Sequence, residues 1–471
     1  MRGTAVRTSS PDSRSSGRPL ICFYGDDFTG STDALSQFSR FGLDGILLLR
    51  VPTDEQLRAY SRKLDVVGIA GVSRALPTAQ MTSEVRLALS ALAKLAPHLI
   101  QYKICSTFDS SPAVGSIGRV IELGMEMFGE RPVPVLAAQP EFGRYTAFGN
   151  HFAEHKGLVY RLDRHPTMSS HPSTPMTEAD LCRVLAGQTA LPVSLVNFLQ
   201  LTDETDPTGR TPLLSFFSNA PPGPVVIDAV NSAHLVRAAE LIWGSDSPSP
   251  RFVVGSGGLS YGLGHYLKAG KQATMPPVYR ADQVFAVSGS CSAQTAQQVA
   301  YAVAQGWTGI YLEPRHLLDP LSRENALVAV SNEVMSAIHA GTSVVVYTAQ
   351  GDDHDRAVGN RMKEAGLGLE LVHQIGAFFG RLLDDVLAGS DVRRVIVAGG
   401  DTSGYTLRSL DAYGLEFEAP LAVGGALCRL RSTVRHLDGA EVALKGGQVG
   451  GEDFFELVRR GARPTTTVPD W

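Results

Sequence analysis

The chain has 471 residues, 44% of them hydrophobic and 19% charged. That balance supports two or three ordinary packed domains without disulfide or metal staples, and it excludes a largely disordered chain. A formal net charge of -5 lacks the basic footprint that phosphate-backbone binding requires, so the expected partner is a small molecule and not nucleic acid.

Residues 1–18 carry Arg and Ser but no apolar signal-peptide core, so they are read as a disordered tail outside the fold. From Leu20 onward, short β-rich apolar runs alternate with longer amphipathic stretches, the pattern of strands joined by crossover helices. Strands are predicted at Leu20–Tyr24, Gly45–Leu49, Asp65–Ala70, Leu99–Lys103, Val133–Ala137, Val225–Asp228 and Arg251–Val254. Further strands are predicted at Val284–Ser288, Gly309–Leu312, Ser343–Thr348, Val395–Ala398 and Glu441–Lys445. Between the two sets, the polar stretch Lys268–Arg280 with Pro276-Pro277 reads as an interdomain linker. The expected fold class is therefore α/β, with two domains (19–267 and 283–460) around a linker at 268–282 and a C-terminal tail at 461–471. Each domain is expected to hold a mainly parallel sheet flanked by helices, with the active site in the cleft between them.

Cys22, Cys105, Cys182, Cys291 and Cys428 form no CxxC pair or Cys/His cluster and read as reduced thiols of a cytoplasmic protein. No apolar run approaches the roughly 20 residues that span a bilayer, so no membrane partner is expected. Homo-oligomerisation is left open.

The first strand runs into Gly25-Asp26-Asp27-Phe28-Thr29-Gly30, which places two carboxylates at the carboxyl end of a sheet strand, where ligand crevices form. Asp26 and Asp27 could accept a substrate proton; they could equally be turn residues or helix caps. The DxD spacing of aspartyl-phosphate enzymes is absent, which disfavours covalent catalysis. After the fourth strand, Lys103-Ile104-Cys105-Ser106-Thr107-Phe108-Asp109-Ser110-Ser111 gathers a cation, an acid and several hydroxyls. Lys103, Ser106, Thr107 and Asp109 suit a polyhydroxy anion, and a hydroxyl-rich turn bonding its own backbone is the alternative. Arg144 and Asn150 lie in a loop long enough to reach the same edge, and Arg144 could fork onto a carboxylate or pack its stem on Phe142 or Tyr145. His165 and His171 have no acidic or Cys partner to complete a metal site.

The second half carries three small-residue loops directly after strands: Ser288-Gly289-Ser290-Cys291-Ser292, Gly399-Gly400-Asp401-Thr402-Ser403-Gly404 and Gly446-Gly447-Gln448-Val449-Gly450-Gly451. Glycine lets backbone N–H groups approach phosphate oxygens, and following helices add their positive ends. One such loop is a tight turn as readily as a phosphate site, but three at one sheet edge fit a nucleotide crevice. Neither GxGxxG nor GxxxxGK[ST] occurs in these loops, which removes the main support for a dinucleotide-dependent oxidoreductase or a P-loop enzyme.

Taken in this order, GDDFTGSTD, YKICSTFDSSP, HPSTPMTEADL, VSGSCSAQT, GGDTSG and LKGGQVGGEDFF resemble the four-carbon acid sugar kinase family over about Leu20–Phe455. The KICSTFDSS segment resembles the 3-oxo-tetronate 4-kinase branch more than the threonate and erythronate kinases. The resemblance implies an N-terminal acid-sugar-binding domain and a C-terminal ATP-binding domain. It places ATP at Ser290, Gly399, Gly400, Asp401, Thr402, Gly446 and Gly447, and the sugar acid near Asp26, Asp27, Ser106, Thr107 and Arg144. Two departures stand out: Asp401 where the family usually has Glu, and KGGQVGGEDFF where KSGNFG is more usual.

Phosphoryl transfer needs in-line positioning, charge neutralisation and exclusion of water. The expected activity is transfer from ATP, with Mg, to the terminal 4-hydroxyl of a four-carbon sugar acid, with Asp27, or failing that Asp26, accepting the hydroxyl proton. No protein ligand of Mg can be assigned; Asp401 and Glu452-Asp453 are candidates, though acids at helix starts are common. A non-catalytic acid-sugar sensor is the alternative from another class, and it would leave the three glycine loops without a task.

Overall fold

A computed structural model of the protein describes residues 18–61, 64–170, 174–201, 220–244, 250–351, 366–422, 424–447 and 449–461. The tails expected at 1–18 and 461–471 fall almost entirely outside these residues, as do His171, Gln448 and the side chain of Asp401.

In the first half the chain forms β1 (Ile21–Gly25), β2 (Gly45–Leu48), β3 (Val66–Ala70), β4 (Leu99–Lys103) and β5 (Pro132–Leu136). Then come a small antiparallel sheet of β6 (Arg144–Ala147), β7 (Asn150–His155) and β8 (Leu158–Arg161), and finally β9 (Ser194–Val196), β10 (Gly223–Ile227) and β11 (Arg251–Gly255). The second half contributes β12 (Phe285–Ser288), β13 (Thr308–Tyr311), β14 (Val344–Tyr347), β15 (Arg394–Ala398), β16 (Ala412–Ala422), β17 (Gly425–Ser432) and β18 (Glu441–Lys445). All the strands predicted from apolar runs are present. β1, β3, β4, β10, β11 and β15 are buried along their whole length, as strands covered by helices on both faces must be.

Two separate sheets were expected, one per domain; they are joined instead. The order β13-β14-β12-β15-β18-β17-β16-β2-β3-β1-β4-β11-β5-β10-β9 is one 15-stranded sheet. Its middle is the antiparallel ribbon β16–β17, which pairs with β2 on one side and β18 on the other. Because β2–β16, β16–β17 and β17–β18 are all antiparallel, the two parallel blocks run in opposite senses. β16 carries irregular register at three places along its length, and bulges of this kind bend and twist a strand.

One apolar core lines one face of the sheet through both halves, from Phe23, Phe28 and Phe38 to Phe285, Phe378 and Leu415. The opposite faces have separate cores, around Tyr24, Leu89 and Ile121 in the first half and around Trp307, Phe454 and Phe455 in the second. Between Leu267 and Phe285 the chain forms neither helix nor strand. Polar contacts also lock the halves: Arg408 donates to the carbonyls of Leu49 (3.1 Å) and Ala70 (2.6 Å), at the ends of β2 and β3, and Arg50 donates to Leu410 O at 3.2 Å.

Candidate active site

β1 ends at Gly25, where a Cβ would lie 1.9 Å from Ser31 Oγ, so only glycine lets the Phe28–Ser39 helix start this close to the strand. The two carboxylates then part. Asp27 caps the helix, Oδ1 accepting from Gly30 N at 2.9 Å, and its Oδ2 faces Arg74 at 3.1 Å. Asp26 turns inward and is 3% exposed. Its Oδ2 accepts from Cys105 N at 3.2 Å, and Oδ1 is buried without a partner among the described residues. Burial and the charge of Asp27 push the Asp26 carboxyl up to about 7, against the opposing pull of Arg74, Lys103 and the Cys105 N–H.

Lys103, 2% exposed at the end of β4, donates to Ile104 O at 2.9 Å. Its ammonium lies 2.9 Å from where a Cβ on Gly30 would sit, beside the start of the helix that Asp27 caps. In the following loop Thr107 Oγ1 donates to Asp109 Oδ1 at 2.7 Å, Asp109 reaches Arg74 at 3.7 Å, and Phe108 holds a buried positive-φ turn at +59°. Burial raises the Cys105 thiol to about 11, which leaves it a neutral packed group and not a nucleophile. The carbonyl of Ser106 accepts from His151 Nε2 at 2.7 Å, so the proton sits on that nitrogen, and Nδ1 pairs with Thr146 Oγ1 at 2.9 Å. Burial lowers His151 to about 4; the ring is a neutral pin fastening β6–β7 to the Lys103–Ser111 loop.

Arg144 and Asn150 are largely committed to this hairpin. Arg144 Nη1 donates to the carbonyls of Phe142 (2.9 Å) and Glu154 (3.2 Å), while Nε is buried without a partner among the described residues. Asn150 donates its amide to Phe148 O at 3.2 Å across a turn in which Phe148 and Gly149 both have positive φ.

On the other side, the three glycine loops leave β12, β15 and β18, which are neighbours in the sheet. They are packed on one another. A Cβ on Gly289 would lie 2.7 Å from Thr402 Oγ1, one on Gly399 (φ +141°) would lie 2.2 Å from the same atom, and one on Gly447 would lie 2.8 Å from Ser290 Oγ. Ser292 caps the Ala293–Ala304 helix through Thr295 N at 3.1 Å. Thr295 Oγ1 donates to Gly447 O at 2.8 Å, and Gln298 binds the carbonyls of Val449, Gly450 and Gly451. The Asp401–Ser409 helix is different: Gly400 precedes it, no side chain caps it, and a Cβ on Gly400 would meet nothing. The space beside Gly400 is thus open at the start of this helix, and a helix start is an end that can receive an anion.

The two clusters meet at the start of the Phe28–Ser39 helix. A Cβ on Gly404 would sit 3.2 Å from Phe28, and one on Gly446 would sit 3.6 Å from the Thr29 methyl. The tip of the β16–β17 ribbon closes the same region, where a Cβ on Gly424 would lie 3.4 Å from both Phe142 and Val449. Asp26, Asp27, Lys103, Ser106, Thr107 and Asp109 are thus gathered at one edge, with Ser290, Gly399, Gly400, Thr402, Gly446 and Gly447 against it.

Two charged residues of the site lay outside the sequence expectation. Arg74, in the Ser73–Ala75 turn after β3, bonds Asp26 O through its backbone N (3.0 Å) and faces Asp27 and Asp109. Lys445, the last residue of β18, is 1% exposed. Lys445 stands where the apolar Val442-Ala443-Leu444 run of β18 ends in a cation, a signal that could have found it; Arg74, four residues past the end of β3, has no such local signal. Among the described residues no three His, Cys, Asp or Glu side chains cluster as metal ligands, and no helix is long and apolar enough to cross a membrane.

Residues 21–263 match the model of a sugar-binding N-terminal domain and residues 285–455 that of a nucleotide-binding C-terminal domain. The chain is 39% identical over 450 residues to a 3-oxo-isoapionate kinase of Paraburkholderia graminis, covering 94% of each protein. It is 31% identical over 456 residues to a 3-oxo-tetronate kinase of Pseudomonas savastanoi pv. phaseolicola, covering 94% of this chain and 97% of that one. A Haemophilus influenzae protein of known crystal structure superposes with a TM-score of 0.70 at 25% identity, over 93% of this chain and 99% of that one. The motifs, the two-part architecture and these relatives agree: the chain belongs to the four-carbon acid sugar kinase family and is a kinase of sugar acids.

Proposed function

We propose that the enzyme transfers the γ-phosphoryl group of ATP to the terminal 4-hydroxyl of a 3-oxo-tetronate, in the space where the Asp26–Asp27–Arg74–Lys103 cluster meets the three glycine loops. The observation that carries this reading is that juxtaposition, made by Phe28 and Thr29 against Gly404 and Gly446. In this reading residues 19–267 hold the sugar acid, 283–460 hold ATP and 268–282 link them. Lys103 and Arg74 supply positive charge for a carboxylate, and Ser106, Thr107 and Asp109 supply donors and acceptors for hydroxyls.

The proton acceptor is Asp26. Asp27 already serves as helix cap and partner of Arg74, whereas Asp26 has an oxygen without a partner among the described residues and a carboxyl lifted to about 7, close to the pKa that suits a base at neutral pH. The hydroxyl gives its proton to Asp26, its oxygen bonds to the γ-phosphorus, and ADP departs with the electrons of the broken β–γ bridge bond. The loops suit a polyphosphate, since the space beside Gly400 at the start of the Asp401–Ser409 helix is open and Gly400 offers no side-chain cap. Mg would accompany ATP and neutralise phosphate charge, with Asp401 and Glu452-Asp453 as the candidates to hold it or its waters.

A second reading, a 3-oxo-isoapionate as acceptor, is favoured by the 39% identity to the kinase named for that compound, against 31% for the 3-oxo-tetronate kinase. A coupled ADP assay over 3-oxo-tetronates, 3-oxo-isoapionate, threonate and erythronate decides. The first reading expects the highest kcat/KM on a 3-oxo-tetronate; a preference of tenfold or more for 3-oxo-isoapionate replaces it with the second. Asp26→Asn should lower kcat by about 10²- to 10⁴-fold, and near-normal turnover in that variant would remove Asp26 as the base.

A further inference from the structure

The molecule holds two buried lysines at strand ends, and they are not equivalent. Lys103 stands among carboxylates and lowers the pKa of Asp26. Lys445 ends β18 with 1% exposure, and among the described residues its Nζ bonds Thr295 Oγ1 at 2.8 Å. Among the described residues no carboxylate pairs with this ammonium, and a buried charge without a partner is costly, so its position calls for a function. Thr295 passes its own hydroxyl hydrogen to Gly447 O at 2.8 Å, and Gly447 packs on Ser290. The ammonium therefore sits directly behind two of the three glycine loops.

We infer that Lys445 is the buried counter-charge of the nucleotide phosphates, held on Thr295 behind the Ser290–Ser292 and Gly446–Gly447 loops. This inference rests on the proposed nucleotide site. The surroundings of Lys445 agree with it. β15 places Ala398 opposite Lys445 and leads to Asp401, whose side chain is outside the described residues; β17 places Gly425 opposite. The Ala293–Ala304 helix presents Thr295 and its cap Ser292, and the Phe454–Arg460 helix presents the Phe454 ring, 6.0 Å from the ammonium. Glu456 on that last helix is held by Trp307, Arg459 and Arg460, and Glu441 at the far end of β18 is held by Arg394. Burial alone lowers Lys445 to about 7, so at alkaline pH much of it is neutral until an anion arrives. Bound phosphates then favour the charged form, and nucleotide binding draws one proton onto Nζ.

The test is calorimetry of MgATP binding to the full chain at pH 8 in two buffers of different ionisation enthalpy. Wild type should take up a substantial fraction of a proton per nucleotide. Lys445→Arg, permanently charged, should bind with little or no uptake, and Lys445→Met should bind on the order of tenfold to a hundredfold more weakly. Unchanged uptake in Lys445→Arg overturns the inference, as does wild-type binding without uptake. Should Lys445→Met fail to fold, the first two measurements still decide. Failure of the wild type to bind MgATP at all would instead remove the nucleotide site on which the inference stands.

Discussion

At the scale of single residues, Asp26 and Asp27 show how adjacent identical side chains acquire different chemistry. Alternation at the strand end sends one inward and leaves the other at the helix start, so burial falls on Asp26 and the Arg74 ion pair on Asp27. With burial lifting the carboxyl of Asp26, the proposed base, to about 7, protonation below that value should disable it, and kcat/KM should fall about tenfold per unit of pH on the acid side. Arg74→Met removes a cation that favours the charged carboxylate, so the acid limb should move to higher pH. A pH–rate profile of both proteins checks this, and an unmoved limb would separate Arg74 from the base. The aspartates, Lys103 and the hydroxyl loop were legible because chemistry-bearing side chains crowd into short motifs at strand ends. Arg74 was not, since a lone arginine after VVGIA-GVS has no local pattern and gains its meaning only from Asp27 and Asp109, which lie 47 and 35 positions away.

At the scale of elements, the glycine loops do two different things. Gly289 and Gly399 are empty so that Thr402 can pack on them, whereas Gly400 is empty toward open space. Gly399→Ala would combine a backbone at φ +141° with a Cβ 2.2 Å from Thr402 Oγ1, a strain of about 1–3 kcal/mol or more for a non-glycine residue. MgATP affinity should drop by tenfold or more while sugar-acid affinity stays unchanged, as titration of each ligand separately would show. The parallel strands were readable as apolar runs because both their faces are covered. β16 and β17 escaped because Leu415-Glu416-Phe417-Glu418 and Leu427-Cys428-Arg429-Leu430-Arg431 mix charge with apolar side chains, and Pro420 interrupts the run. Their alternation was present, but a ribbon joining two domains has no local signature that tells it from a surface hairpin.

At the scale of the whole molecule, the sheet that was expected in two pieces is continuous, and each half completes an edge of the other. β2, with Ile46, Leu47 and Leu48 buried, lies between β3 and β16. Expressed alone, residues 18–267 would present β2 as an unpaired apolar edge, a template for association with other chains. Size-exclusion chromatography of that fragment should show oligomers or aggregate, and mixing with residues 268–461 should restore a smaller particle; a stable monomeric fragment would show that the ribbon is dispensable for folding.

The β2–β16 ladder also determines what kind of motion the enzyme can make. Besides the shared apolar core and the Arg50 and Arg408 contacts, the halves are joined covalently through the irregular stretch after Leu267 and through backbone hydrogen bonds of the sheet, which together close a kinematic loop. Free swinging about a single strap is forbidden to such a loop, because it would tear the ladder. Any opening around substrate is then expected to flex the ribbon where β16 loses its regular register near Phe417 and Pro420. The compliance of that one bent strand would then limit how far the γ-phosphate and the acceptor hydroxyl can be drawn apart between turnovers.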